Sequence, residues 1–67
     1  MIEVTVNGEA RTVNAPMTLA AFLEAFGLNA RMVVVERNRE IVPRDQYAET
    51  RLDDGDELEI VQMMAGG

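Results

Sequence analysis

The amino-acid sequence predicts an α+β fold in which one main helix packs against a mixed sheet of about five strands. An alternating apolar pattern opens the chain, one segment with helical spacing follows, and short runs rich in β-branched residues come later. At 67 residues, the chain has room for one small hydrophobic core, so we expect nearly every apolar residue to be buried. Residues 1–67 are interpreted as a single domain with a flexible C-terminal tail over about residues 62–67.

The first two strands are predicted to form a hairpin. Residues 2–7 alternate between apolar and polar side chains, as in a strand with one buried face. Asn7 and Gly8 follow, and both central positions of a type I′ turn need the positive φ that these residue types adopt most readily. Residues 9–14 should therefore return antiparallel to the first strand.

The main helix is predicted to begin after Thr18, whose hydroxyl can cap its first turn. The apolar residues that follow have the i, i+3, i+4, i+7 spacing of one helix face. They are Leu19, Phe22, Leu23 and Phe26. We expect both phenylalanines in the core. Gly27 comes directly after this pattern, where a glycine commonly ends a helix.

Three more strands are predicted after the helix. Residues 32–35 form a run with three consecutive valines, which predicts a strand buried on both faces for part of its length. Ile41 and Val42 begin a short strand, and Pro43 places this segment at a sheet edge or at the strand's end, because proline cannot donate to the ladder. The last strand covers residues 57–61, whose apolar and acidic side chains alternate.

The loop before the last strand completes the predicted order. Residues 45–52 lack clear periodicity, so we expect a loop or helical turn with Tyr47 and Leu52 turned inward. The order is then β-β-α-β-β-β. Because a helix separates the opening hairpin from the later strands, the first and last strands can lie side by side and parallel at the centre of the sheet. This connectivity is that of a β-grasp.

Composition excludes several classes of function. The chain has no Cys and no His, so it lacks a thiol nucleophile, an imidazole base and the usual zinc ligands. We predict no enzymatic activity, no metal site and no bound cofactor. A net charge of −6 argues against nucleic acid and anionic membranes and favours a basic protein partner. Without an apolar run of ~20 residues or a signal-peptide pattern, we expect a soluble cytoplasmic protein.

An acidic cluster precedes and enters the last strand. Its members are Asp53, Asp54, Asp56, Glu57 and Glu59. The cluster lacks the alternating acids, the sixth-position glycine and the closing glutamate of a calcium-binding EF-hand loop. So small a domain also has no deep pocket in which to desolvate one carboxylate for acid–base chemistry. We interpret the cluster as a solvated acidic face, with docking of a basic partner as the alternative.

The tail offers chemistry of a different kind. Gly66 and Gly67 have no Cβ, so they fit a narrow channel and leave the terminal carbonyl open to attack. An ionised carboxylate is a poor electrophile, and its chemistry would need prior activation, such as adenylation by ATP. The alternative interpretation is a frayed terminus without function.

Four segments carry a resemblance to a known family. They are Asn38-Arg39-Glu40-Ile41-Val42-Pro43-Arg44, Gln46-Tyr47-Ala48, Leu52-Asp53-Asp54-Gly55-Asp56-Glu57-Leu58-Glu59-Ile60-Val61 and Ala65-Gly66-Gly67. On these residues the chain resembles the ThiS family, the bacterial sulfur carriers of thiamine biosynthesis. The segments occur together at the spacing of the family, which is far more specific than any one of them. The first half of the chain matches only in length and pattern.

The resemblance implies a ubiquitin-like β-grasp and a defined reaction cycle. An E1-like adenylyltransferase of the ThiF type would adenylate the carboxylate of Gly67 and consume ATP, which the carrier itself does not bind. A sulfur donor such as a cysteine desulfurase would then convert the acyl adenylate to a thiocarboxylate. A thiazole synthase of the ThiG type would accept that sulfur.

The resemblance also assigns roles to residues. Gly67 is the covalent carrier, and the residues expected to enter partner active sites with it are Gly66, Ala65, Met64 and Met63. A docking surface is predicted beside the tail, with Val61, Glu57 and Glu59 as its members. Pro43 and Arg44 match the family and are expected to shape the fold.

Three alternatives remain open at this point. The chain could carry sulfur for a molybdopterin, cysteine or tungsten cofactor pathway, although the resemblance favours thiamine. It could be a ubiquitin-like modifier that is joined to target lysines through Gly67. It could also be a plain β-grasp interaction module whose tail has no chemical role.

Overall fold

Five strands form one sheet with a single α-helix against it in the computed structural model, which describes residues 1–63. The strands are β1 (Ile2–Val6), β2 (Glu9–Val13), β3 (Val33–Arg37), β4 (Glu40–Ile41) and β5 (Glu57–Gln62), and the helix is α1 (Leu19–Ala25). Two short 3₁₀ turns cover Ala30–Met32 and Arg44–Gln46. Within the described residues, no helix is long and apolar enough to span a membrane.

The strand order across the sheet is β2-β1-β5-β3-β4. β1 and β5 run parallel, and the other neighbouring strands pair antiparallel. The prediction that the first and last strands lie side by side is thereby confirmed, with β5 as the central strand. The short β4 lies at the edge, as the proline after it predicted. The connectivity is that of a β-grasp.

Each of the two hairpins turns on a pair of residues with positive φ. Asn7 and Gly8 have φ of 50° and 84°, which confirms the predicted turn between β1 and β2. The turn between β3 and β4 uses Asn38 and Arg39, with φ of 52° and 72°. The sequence signal for this second turn is weaker, because arginine adopts a positive φ far less readily than glycine.

Helix α1 begins as predicted. The Oγ1 of Thr18 accepts a hydrogen bond from the N–H of Ala21 at 3.1 Å. After the last turn, Gly27 has a φ of 70°, and its N–H donates to the carbonyl of Glu24 at 3.0 Å. The helix therefore has a defined cap at each end.

The prediction that Phe26 is a core residue is wrong. Leu19, Phe22 and Leu23 are buried, whereas Phe26 is 43% exposed. The helix ends at Ala25, so Phe26 no longer follows the buried face. The centre of its ring lies 4.5 Å from the centre of the Phe22 ring. The guanidinium of Arg11 lies over the Phe26 ring, 5.4 Å from the ring centre.

The prediction that β3 is buried on both faces is also wrong. Val33 and Val35 are buried against the helix side of the sheet, but Val34 is 39% exposed. Met32 belongs to the preceding 3₁₀ turn. Because α1 covers one face of the sheet, the valine run is a half-buried strand.

The segment between β4 and β5 packs inward at two residues, as predicted. Tyr47 and Leu52 are buried. The Nε of Arg44 donates to the carbonyl of Ala30 at 3.1 Å, which joins the two 3₁₀ turns. This contact gives Arg44 a role in the fold, in agreement with the prediction.

Candidate functional site

The sheet face opposite α1 is open, and we call it the outer face. Along β5, Leu58 and Ile60 point to the helix side and are buried, whereas Glu57, Glu59 and Val61 are exposed on the outer face. The predicted alternation of the last strand is confirmed. The strand continues through Gln62, one residue beyond its predicted end.

An apolar patch on the outer face adjoins the end of β5. Val34 of β3 lies directly opposite Val61 of β5, and their exposed fractions are 39% and 61%. Met63 follows two residues after Val61 and is 42% exposed. We refer to Val34, Val61 and Met63 as the apolar patch. An exposed apolar patch of this kind is typical of a surface that binds protein partners.

Acidic side chains border the apolar patch. Glu36 of β3 lies directly opposite Glu59 of β5, and Glu57 is the neighbour of Thr5 on β1. Like charges directly opposite one another across a strand pair oppose folding. Glu36, Glu57 and Glu59 also line a shallow hollow with Arg39. We refer to the three glutamates as the acidic rim, whose charge suits a basic partner surface.

The rest of the predicted acidic cluster has a structural role, and the prediction of a solvated face is wrong for Asp56. This residue is 5% exposed. Its Oδ2 accepts from the Nε of Arg37 at 2.9 Å and from the N–H of Asp53 at 2.8 Å. Its Oδ1 accepts from the Nδ2 of Asn38 at 3.1 Å. These contacts fix the turn that leads into β5.

The same contacts explain the ionisation of Asp56. Burial disfavours the charged carboxylate and by itself would raise the pKa of Asp56. The hydrogen bonds from Asp53, Arg37 and Asn38, together with the positive charge of Arg37, outweigh burial and hold the pKa below its ordinary value. Asp56 is therefore charged at neutral pH as one half of a structural ion pair.

The other two acids of the cluster also make structural contacts. The Oδ1 of Asp54 accepts from the N–H of Glu3 at 2.8 Å, which connects the turn to β1. Asp53 forms a second ion pair with Arg37, at 3.3 Å between Oδ2 and NH2. Of the predicted cluster, only the two glutamates belong to the outer face.

The end of β5 marks the start of the tail. The N–H of Met63 donates to the carbonyl of Met32 at 2.6 Å, so the β3 side of the sheet still holds the chain at this residue. The remaining predicted site residues lie outside the described residues. They are Met64, Ala65, Gly66 and Gly67. Their assigned roles stay predictions.

Sequence reasoning missed three members of the outer face. Val34 was assigned to a strand buried on both faces, Glu36 was not assigned to a face, and Ile41, which is 66% exposed, was predicted in a short strand without a statement of its face. The register explains all three, since Val34 pairs with Val61, and Glu36 pairs with both Glu59 and Ile41. A strict alternation of the valine run would have placed Val34 on this face.

The fold and the outer face define a small β-grasp protein of the ubiquitin-like class, with an exposed surface that leads to a glycine tail. The model of the ThiS family matches residues 4–67. The chain therefore belongs to the ThiS family, which confirms the resemblance seen in the sequence.

Individual relatives agree with this assignment. The chain is 40% identical to the sulfur carrier protein ThiS of Bacillus subtilis over 50 residues, covering 75% of this chain and 76% of that protein. It is 30% identical to ThiS of Escherichia coli over 66 residues, covering 98% of this chain and 100% of that protein. The crystal structure of ThiS from Geobacter metallireducens superposes with a TM-score of 0.83 at 33% identity, covering 98% of this chain and 100% of that chain.

A second kind of relative is much longer. The chain is 47% identical over 66 residues to a thiazole synthase of Paramagnetospirillum magneticum, covering 98% of this chain and 20% of that protein. The thiazole synthase of Magnetococcus marinus matches over the same share of its length at 33% identity. The chain thus spans about a fifth of the length of these two relatives.

Proposed function

We propose that the chain is a sulfur carrier of thiamine biosynthesis. An E1-like enzyme adenylates the carboxylate of Gly67, a sulfur donor converts the adenylate to a thiocarboxylate, and a thiazole synthase accepts the sulfur. The observation that carries this proposal is the match of the ThiS family model over residues 4–67, which includes both glycines. The relatives named ThiS support the carrier role over that of a protein modifier.

The chemistry needs little from the carrier beyond its carboxylate. An oxygen of the Gly67 carboxylate attacks the α-phosphorus of ATP, and pyrophosphate leaves. The terminal sulfur of the donor's persulfide then attacks the activated carbonyl, and AMP leaves with the oxygen that bridged the two groups, which gives an acyl disulfide between carrier and donor. A thiol reductant attacks the donor's sulfur of this disulfide, so that the S–S bond breaks, the donor forms a disulfide with the reductant, and the thiocarboxylate leaves. The product is a thiocarboxylate whose sulfur stays attached to a protein and cannot diffuse away. The catalytic groups for these steps belong to the partners.

The outer face is proposed as the surface that the partners recognise. The apolar patch supplies an apolar contact, and the acidic rim supplies charge beside it, on the side toward the beginning of β5. The complementary partner surface would then have an apolar area with Arg or Lys beside it. Its attraction to the acidic rim would raise the rate of encounter and weaken with added salt.

The short tail makes the position of the docked domain important. Since the sheet holds the chain at Met63, four residues remain, and they extend at most ~14 Å. The outer face must therefore dock within about that distance of the reacting phosphate or sulfur. The apolar patch lies at the same end of the sheet as the tail, so a partner that covers it is well placed to receive Gly67.

Thiazole synthase is proposed as the acceptor partner because two relatives that contain a region like this chain are named thiazole synthase. When carrier and acceptor share one polypeptide, the effective concentration of the thiocarboxylate at the synthase active site is high. We place these reactions in the cytoplasm, where the activating enzyme has access to ATP, and we assign the sulfur donor to the cysteine desulfurase class.

An intact-mass experiment tests the proposal. The protein is incubated with an E1-like activating enzyme, ATP, a cysteine desulfurase with its cysteine substrate, and a thiol reductant that releases the thiocarboxylate. We expect a mass gain equal to the replacement of one oxygen by sulfur, located in the C-terminal peptide, and no gain without ATP. An unmodified mass with a demonstrably active enzyme pair would contradict the carrier role. Stable conjugates to lysines of other proteins would instead support a protein modifier.

A further inference from the structure

The hairpin turns on the two sides of β5 share an unusual feature. Each begins with an asparagine at positive φ, Asn7 in one turn and Asn38 in the other. Each of these side chains also forms hydrogen bonds to the backbone of β5. The two turns therefore do more than reverse the chain, because each holds the central strand at a defined point.

Asn7 takes the place of a strand residue beside β5. The paired residues of β1 with β5 are Thr5 and Val6, and the N–H of Asn7 still donates to the carbonyl of Leu58 at 2.9 Å before the chain turns away. The Oδ1 of Asn7 accepts from the N–H of Ile60 at 2.8 Å, and its Nδ2 donates to the carbonyl of Ile60 at 3.1 Å. One amide side chain thus satisfies both backbone groups of Ile60, as a neighbouring strand would. We call this pair of bonds the Asn7 clamp.

The Asn7 clamp lies close to the tail. Backbone groups of successive strand residues point to opposite sides, and Met63 bonds to Met32 on the β3 side. On the β1 side, Ile60 is the last residue of β5 for which the described chain shows a hydrogen bond. The clamp is therefore the final attachment of β5 on that side before the tail.

We propose that Asn7 is a positioning residue for the reaction of Gly67, an inference that rests on the proposed function. Together with the bond from Met63 to Met32 on the β3 side, the clamp fixes the direction in which β5 leaves the domain, and so fixes where the tail begins relative to the outer face. Once a partner has docked, a fixed starting point raises the effective concentration of the carboxylate in the active site. Loosening this point lowers the fraction of docked complexes whose tail is inserted.

Asn38 provides a matched control within the same chain. It has nearly the same φ as Asn7, and its Oδ1 accepts from the N–H of Glu57 at 3.0 Å. Glu57 begins β5, far from the tail, and the Nδ2 of Asn38 bonds to the buried Asp56. Asn38 therefore stabilises the fold without setting the direction of the tail.

The test compares Asn7→Gly with Asn38→Gly as substrates of an E1-like activating enzyme. Glycine keeps the positive φ and removes the amide. For Asn7→Gly we expect kcat for adenylation to fall about tenfold, from the loss of two hydrogen bonds, with KM for the carrier nearly unchanged. For Asn38→Gly we expect an unchanged kcat. A purely structural effect lowers the folded fraction, which raises the apparent KM and leaves kcat as it was.

A second measurement is independent of any enzyme. Amide hydrogen exchange in Asn7→Gly should be faster at Ile60, while the amide of Val61, which faces β3, should keep its protection. Unchanged exchange at Ile60 would overturn the clamp. Absence of adenylation of the wild-type chain would contradict the proposed function and leave the exchange result standing. An unchanged kcat for Asn7→Gly, or an equal fall for Asn38→Gly, would overturn the positioning role.

Asn7→Asp keeps the test decisive if Asn7→Gly does not fold. The aspartate can still accept from the N–H of Ile60, but it cannot donate to the Ile60 carbonyl. We expect a fall in kcat that is smaller than for Asn7→Gly, again with KM nearly unchanged. A rise in KM with unchanged kcat would overturn the proposal here too.

Discussion

The turn that leads into β5 is held by a buried ion pair, whereas the end of the strand is held by backbone hydrogen bonds and the Asn7 clamp. In this turn, Asp56 is buried against Arg37 and Asn38. The carboxylate of Asp54 accepts a hydrogen bond from the N–H of Glu3 in β1. At the end, Val61 and Met63 are exposed beside an acidic rim. The chain therefore passes from a structural ion pair to the proposed docking surface within the six residues of β5.

Stability and function are therefore separable along this segment. The charges of Asp53 and Asp56, just before the strand, are satisfied within the domain, so they contribute to folding and have little left to offer a partner. Charges of the acidic rim oppose one another, as Glu36 and Glu59 do, and a basic surface that covers them would reduce that repulsion. Substitutions at the two ends should accordingly change different measured quantities.

The largest expected effect is the loss of function on deletion of Gly67. Removing this residue leaves residues 1–63 and their contacts unchanged, so the free energy of unfolding should stay within ~0.5 kcal/mol of the wild-type value. Adenylation should be abolished, because the new terminal carboxylate lies one residue, up to ~3.5 Å, short of the position that Gly67 takes in the proposed reaction. Pyrophosphate release with an E1-like enzyme measures the effect, and an active truncated chain would contradict the carrier role.

The next effect concerns stability at the beginning of β5. Asp56→Asn removes the charge that pairs with Arg37 and turns an amide donor toward groups that themselves donate. We expect the free energy of unfolding to fall by about 2 kcal/mol, as for other hydrogen bonds to a charged group. Urea unfolding gives the value, and kcat for adenylation should not change. A lower kcat at full folding would show that the beginning of β5 also serves the reaction.

Acid should weaken the same contact. The pKa of Asp56 is lowered in the folded state from an ordinary value of 3.8, so its contribution to stability is complete above about pH 4 and is lost as pH falls through the folded pKa. Wild-type stability should therefore fall more steeply below about pH 4 than that of Asp56→Asn. Parallel curves from thermal unfolding between pH 2 and 6 would contradict this prediction.

Much of this comparison could be predicted from sequence, and the failures share a cause. The Asn7 turn, the Thr18 cap and the glycine after α1 depend on local backbone preferences, so they were predicted correctly. The burial of Asp56 depends on Arg37, which lies 19 residues earlier in the sequence. The local sequence around Asp56 shows only a run of acidic residues, so it could not predict this contact. The exposure of Val34 depends on which face α1 covers. Residue types predicted the elements, but pairings across the sheet decided the faces.

A moderate effect is expected at the other end of the strand. Val61→Ser removes the centre of the apolar patch from a side chain that is 61% exposed, so stability should change little. KM of the E1-like enzyme for the carrier should rise about tenfold, with kcat unchanged. Ile41→Ser is a matched control, because Ile41 is equally exposed at 66% but pairs at the far end of β3 from the tail. Equal effects of both substitutions would extend the docking surface to the sheet edge.

The smallest effect, and the sharpest test of the comparison, is expected from Glu59→Gln. Removing one of two opposed carboxylates should raise the free energy of unfolding by about 0.5 kcal/mol. The same change should raise KM for the carrier about threefold and reduce its salt dependence, because one attractive charge toward a basic partner is lost. Glu3→Gln is the control, since Glu3 lies on the outer face opposite Thr12. If Glu59→Gln stabilises the fold and raises KM, the side chain of Glu59 serves partner binding. If it lowers stability without a change in KM, Glu59 has a structural role like that of Asp53 and Asp56.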